Sequence, residues 1–127
     1  MPKIVLASTS PSRLRLLRCV GLEPIVIGSN VDEEDPTYTA MTPREMVIAL
    51  AIVKAHTVRQ KVDSASLIIG CDSTFEFNGK SLGKPLTTEA AISRAREISG
   101  HSGTLHTGHC FLDTAQQREI SLVVSTQ

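Results

Sequence analysis

Several side chains in this sequence are of types and spacings suited to handling an anion. In Ser8-Thr9-Ser10-Pro11-Ser12-Arg13, Ser10 precedes a Pro at a first helical position. The opening N–H groups of such a helix point at a ligand, and the helix dipole favours negative charge there. Arg13 adds a cation whose planar fork matches phosphate. The plainer reading is that Ser10 caps the helix and Arg13 is solvated. Lys54 has Val47, Leu50, Ala51 and Val58 at i−7, i−4, i−3 and i+4, so it sits on the apolar face of a helix. There it either snorkels to the surface or meets a ligand or an ion-pair partner. Asp72 follows the apolar run Leu67 to Cys71 and is either a turn residue or a functional carboxylate at a strand end. The run Asp32-Glu33-Glu34-Asp35 is a solvated loop or a source of oxygen ligands for a hard cation. Gly83-Lys84-Pro85 sets a Lys in a rigid turn. His101, His106, His109 and Cys110 suggest zinc, but His106 and His109 differ by an odd number and should face opposite sides of a sheet, so satisfied or solvent-facing histidines are the better reading.

The elements that must position these residues follow from the patterning. Lys3 to Ala7 is a short apolar run that reads as a buried strand. A helix opens at Ser10-Pro11 and closes at Gly21, and Pro24 to Ile27 reads as a second strand. Gly28 to Pro36 is a turn-rich loop, after which Thr42-Pro43-Arg44-Glu45 forms a capping box that opens a helix through about Arg59. Leu67 to Cys71 is another buried strand, and Asn78-Gly79 between Phe77 and Leu82 signals a hairpin. Thr87 to Ile98 reads as a helix ending at Gly100. Thr104 to Leu112 and Arg118 to Val124 form an antiparallel pair about a polar turn at Asp113 to Gln117. The expected fold is α/β, a mixed, largely parallel sheet flanked by helices with a terminal antiparallel hairpin. Such sheets bind ligands outside the carboxyl ends of their strands, which selects the Ser8-Thr9-Ser10 and Asp72-Ser73-Thr74 segments.

Composition narrows the function classes. The chain has 127 residues, 41% hydrophobic and 20% charged, which is enough for a single core without a structural metal or disulfide. Thirteen basic side chains balance 13 acidic ones, which argues against broad binding to nucleic acid or an anionic membrane. With 3% aromatic residues and no Trp, the stacking platforms of single-stranded nucleic acid binders are missing. No apolar run approaches the ~20 residues of a membrane span, and Met1 to Leu6 is too short for a signal peptide's apolar region. Cys19, Cys71 and Cys110 are odd in number and widely spaced, which fits reduced thiols and a cytoplasmic protein. A flavodoxin-like carrier or receiver domain is disfavoured because no acidic pair follows the first strand.

Taken in order, Ala7-Ser8-Thr9-Ser10-Pro11-Ser12-Arg13, Leu16-Leu17, Val31-Asp32-Glu33, Leu50-Ala51 with Lys54-Ala55, Ile69-Gly70-Cys71-Asp72, Gly83-Lys84-Pro85, Ser99-Gly100 and Thr107-Gly108 resemble the Maf family of septum-formation-inhibitor-like nucleoside triphosphate pyrophosphatases. The wording at Gly70 to Ser73 and Ser102 to His109 is most similar to the actinobacterial branch. The resemblance implies a Maf/ITPase-like fold and a divalent cation, Mg2+ or Mn2+. It implies hydrolysis of a nucleoside triphosphate to a monophosphate and pyrophosphate, a house-cleaning of nucleotide pools. On that analogy Ser8, Ser10 and Arg13 hold the phosphate tail, while Lys54 and Lys84 neutralise developing charge. Glu33 holds the metal, and Asp72 is the general base or shares the metal. Ser12 and Ser73 fall at positions that govern base choice, where better-known branches carry Arg or Trp and Thr or Gln. Residues 1–127 are expected to form one domain that lacks the family's C-terminal part. The exposed edge this leaves near Arg118 to Val124 implies a homodimer. The competing reading is a catalytically weak nucleotide-binding or division-regulating module.

Overall fold

The computed structural model describes residues 3–8, 10–31, 35–62, 64–77, 80–82, 89, 92–93, 96 and 102–127. Glu33, Lys84, the Asn78-Gly79 turn, His101 and most of the helix expected over 87–98 lie outside them. The elements in chain order are β1 (Lys3–Ala7), α1 (Pro11–Cys19), β2 (Ile25–Val26), α2 (Pro36–Thr39), α3 (Pro43–Arg59), β3 (Ser66–Phe77), β4 (Lys80–Leu82), β5 (Thr104–Asp113) and β6 (Arg118–Thr126).

The strands form one mixed sheet in the order β2-β1-β3-β5-β6, with β4 beside β3. β1 pairs in parallel with β2 and β3, whereas β3–β4, β3–β5 and β5–β6 are antiparallel. Parallel pairing is thus confined to the N-terminal side, a smaller share than a largely parallel sheet would have. The reason is connectivity. Helices cross over after β1, but β5 and β6 are joined by the short Asp113-centred turn, which permits only antiparallel pairing. In that turn Asp113 Oδ1 accepts from the N–H groups of Ala115 and Gln116, and Gln117 takes a positive φ of 53°.

α3 and α1 cover opposite faces of the sheet. α3 closes a core of Val5, Ala7, Ala51, Ala55, Val58, Ile68, Cys110 and Leu112. On the other face Leu14 and Leu17 of α1 pack on Leu6, Ile69 and Cys71, with Phe111 alongside. The expected capping box holds α3. Thr42 Oγ1 accepts from the Glu45 N–H at 3.2 Å and donates to Glu45 Oε1 at 2.7 Å, with Pro43 in the first turn. α1 closes at Gly21, whose φ of +86° only Gly adopts without strain. The acidic loop ends in the short helix α2, an element that patterning did not anticipate. Asp35 caps it by accepting from the Thr37 N–H, and that bond holds the Asp35 carboxyl below its ordinary pKa.

β3 corrects one expectation. It runs 12 residues rather than ending at Cys71, so Asp72 lies inside a strand and not at its carboxyl end. The apolar run stops at Cys71 because one neighbour stops there. β1 pairs with β3 only as far as Ala7 opposite Gly70, while β5 accompanies β3 as far as Glu76.

Candidate active site

The end of β1 organises the site. β4 takes up the β1 edge of β3 from Phe75 onward, since the other edge at Phe75 and Glu76 is occupied by β5. Cys71 to Thr74 therefore have no strand beside them on that edge among the described residues. Ser8, the first residue beyond β1, comes level with the start of this break, and α1 starts three residues later at Pro11. In an α/β sheet such a switch point is where a crevice opens.

Asp72 lies on the α3 face, and Lys54 Nζ donates to its Oδ1 at 3.0 Å. Both side chains are 13% exposed. Two charges so far removed from water persist because each offsets the other's desolvation. Of the two readings open for Lys54, the ion pair is the one observed. Glycine makes the approach possible. A Cβ at Gly70 would run into the Ala51 carbonyl, and one at Gly108, which pairs with Asp72, would run into the Val47 carbonyl. Both contacts are with α3 backbone, so these two positions set how closely the helix lies on the strands.

Successive strand residues face opposite ways, so Ser73 lies on the α1 face. There its Oγ accepts from Arg13 Nη2 at 2.6 Å and lies 3.0 Å from Thr107 Oγ1. Arg13 is thus tethered rather than merely solvated. Ser10 occupies the N-cap position of α1, yet its side chain makes no capping bond. Its own N–H donates to Ser8 Oγ at 3.1 Å, so the buried Ser8 hydroxyl shapes the loop while the Ser10 hydroxyl is not consumed by the helix. Ser12 is exposed in the first turn.

The structure thus brings the expected residues into two groups, Lys54 with Asp72 and Arg13 with Ser73, on opposite faces of β3. Both flank the stretch of β3 that β1 leaves uncovered after Ala7. A shallow hollow at the far end of β5, lined by His56, Arg59, Asp113 and Arg118, holds none of them.

The remaining titratable groups are arranged by strand parity. His106 and His109 fall on opposite faces, as their odd spacing requires. His106 is buried, with Nε2 2.9 Å from Glu76 Oε1 and Nδ1 2.7 Å from Ser125 Oγ, which ties β3, β5 and β6 together. His106 is thus a satisfied histidine, and its partners Glu76 and Ser125 come from two other strands, the first of which no local pattern pairs with it. On the α1 face His109 Nδ1 lies 3.5 Å from Cys71 Sγ. Burial pushes the Cys71 thiol up, and burial together with Arg13 pushes the imidazole down, so both are neutral near pH 7. Gly70 and Gly108 belong to the site as points of close backbone approach, which a Gly inside a strand marks.

A divalent cation would find hard oxygen donors here. Mg2+ is commonly held by one or two carboxylates and completed by substrate phosphates. Asp72 is one carboxylate of the kind that pattern uses, while Glu33 lies outside the described residues.

Comparison with known proteins places these residues in a family. The family described as Maf-like protein matches residues 3–127. A nucleoside triphosphate pyrophosphatase of Streptomyces coelicolor is 49% identical over 125 residues, which are 98% of this chain and 60% of the relative. One of Thermosynechococcus vestitus is 43% identical, over 100% of this chain and 63% of its own length. The chain thus spans about three-fifths of the length of these relatives. A crystal structure of a nucleoside-triphosphatase / dITP/XTP pyrophosphatase from Mycobacterium abscessus superposes with a TM-score of 0.55 at 14% identity. The match covers 97% of this chain and 71% of the other, a likeness of fold. With the family pattern running from β1 through β6 and close relatives along almost all of its length, this chain belongs to the Maf-like protein family.

Proposed function

We propose that this protein hydrolyses a nucleoside triphosphate between its α and β phosphates, releasing a monophosphate and pyrophosphate. The observation that carries the reading is the Lys54–Asp72 ion pair at the break in the sheet, next to Ser8 and the start of α1. A polyphosphate laid across this edge of β3 meets Arg13 from one face and Lys54 from the other. Ser8 and Ser10 border its tail, and Lys84, reached after β4, is a third cation for the charge that develops on the leaving pyrophosphate.

Water supplies the hydroxyl that ends on the monophosphate, and one anhydride P–O bond breaks. Asp72 is the carboxylate placed to take the proton of that water or to hold Mg2+ or Mn2+ with Glu33. The cation would supply charge neutralisation along the phosphates. Ser12, exposed in the first turn of α1, faces the nucleoside in this reading, and its small side chain predicts weak discrimination among bases. The site lies beside a sheet whose β6 edge suits a second copy of the chain, giving a homodimer. The balanced charge and reduced thiols suit a cytoplasmic enzyme with no nucleic acid or membrane partner. Among the described residues no helix is long and apolar enough to cross a membrane.

Ion chromatography of products formed from the standard triphosphates with Mg2+ or Mn2+ tests the reaction. Equimolar monophosphate and pyrophosphate are expected; stoichiometric orthophosphate overturns the assignment. Binding of triphosphates with no turnover would favour a nucleotide-binding module instead.

A further inference from the structure

Arg13, Ser73 and Thr107 come from three elements, yet their polar atoms form one chain. Arg13 Nη2 donates to Ser73 Oγ across 60 positions of sequence, and Ser73 Oγ meets Thr107 Oγ1 across 34. The last two residues are direct partners in the β3–β5 register. A guanidinium only donates, so one lone pair of Ser73 is committed to Arg13. The Ser73–Thr107 bond, whichever hydroxyl supplies the proton, then fixes where that lone pair points. The next pair on the same face, Cys71 and His109, brings no carboxylate to compete for Arg13.

We propose that Thr107 is a positioning residue that acts through Ser73 to hold the Arg13 guanidinium at the edge of β3, with its other N–H groups aimed at a polyphosphate. A long Arg side chain on an exposed helix otherwise samples many rotamers, and ordering it beforehand lowers the cost of binding. This gives Ser73 a task different from base choice, because its hydroxyl is spent on Arg13 and Thr107. The identity of the anion follows from the triphosphate reading; the tether itself does not depend on it.

The test is a double-mutant cycle on the full chain with Thr107→Val, Ser73→Ala and the pair, and with Thr107→Ser as the conservative control. The first readout needs no ligand. Nitrogen-detected NMR of the Arg13 guanidinium, assigned by its loss in Arg13→Lys, should show restricted Nη rotation in the parent and in Thr107→Ser. Averaged signals are expected in Thr107→Val and Ser73→Ala. The second readout is calorimetric affinity for an α,β-methylene nucleoside triphosphate with Mg2+. The expected losses are about 5-fold for Thr107→Val and about 10-fold for Ser73→Ala, with the double variant no weaker than Ser73→Ala. Multiplying losses in the double variant, or unchanged Arg13 signals in Thr107→Val, overturn the proposal. Restricted Arg13 signals that respond as expected, in a chain that binds no analogue, uphold the tether and overturn the triphosphate reading alone.

Discussion

Asp72 and Lys54 face each other with little water, so their contributions to activity and to stability separate by substitution. Asp72→Asn keeps shape and hydrogen-bonding capacity but removes the charge, and turnover should fall by ~10²-fold or more with the fold intact. Steady-state pyrophosphate release checks this, and parental rates would leave Asp72 a structural partner of Lys54. A metal titration of the same variant separates the two roles of the carboxylate, because loss of a ligand raises the metal concentration needed and loss of a base does not. Lys54→Met should cost stability by about 1–3 kcal/mol in urea unfolding, because it leaves the Asp72 carboxylate without the ammonium that offset its desolvation. Removing a lone Lys from an apolar helix face would be neutral or stabilising, and the ion pair reverses that sign. The thiols give a further residue-level test. Cys19 is exposed whereas Cys71 and Cys110 are buried, so a disulfide reagent at pH 8 should titrate one of the three quickly. Burial pushes the Cys110 thiol from 9.0 up to about 11. The folded chain therefore holds that proton where the unfolded chain releases it. The associated stability is complete below pH 9 and is lost as pH rises through about 11. Urea unfolding across that interval should show a decline that Cys110→Val reduces.

At the scale of elements, the distance between α3 and the β3–β5 pair decides whether Lys54 reaches Asp72. Gly108 lies opposite Asp72 in the register, and a methyl there meets the Val47 carbonyl, a backbone atom that cannot turn aside. Gly108→Ala should therefore lift α3 at a cost of about 1–3 kcal/mol. It should also lower turnover although no side chain of the site is changed. Denaturation and product release measured together check both halves. Parental stability with parental activity would show that α3 has slack to spare. The His56–Glu119 pair between α3 and β6 lies on the same helix at its other end, so the helix should tilt about that anchor rather than detach.

For the molecule as a whole, β6 is a long strand with little cover. Ile120, Leu122 and Val124 are 55%, 40% and 50% exposed, and they share a face with Leu105 by the β5–β6 register. The far edge of β6 has no strand partner among the described residues. An unpaired edge beside an apolar face favours pairing with another chain. Light scattering over a concentration series should show self-association of the 127-residue chain, and Val124→Lys should shift it toward monomer. A parent that stays monomeric throughout would overturn the expected dimer.

The sequence by itself determined the elements whose signals are local. The Thr42 to Glu45 capping box, Gly21 after α1, the apolar runs of β1 and β3, and the turn between β5 and β6 depend on near neighbours in the chain, and each of these features appears where its residues place it, although β3 runs on past its apolar part. The ordered pieces around Ser8, Asp72 and Thr107 were enough for the family. The tertiary structure alone decided what faces what. Asp72 lies within a strand because β5 continues beside it after β1 has stopped, and no local pattern encodes where a neighbouring strand ends. Lys54 meets Asp72 because two glycines on different strands admit the helix backbone. Arg13 is tethered because β5 delivers Thr107 opposite Ser73. Each of these contacts joins residues far apart in sequence, and its geometry is set by packing and register.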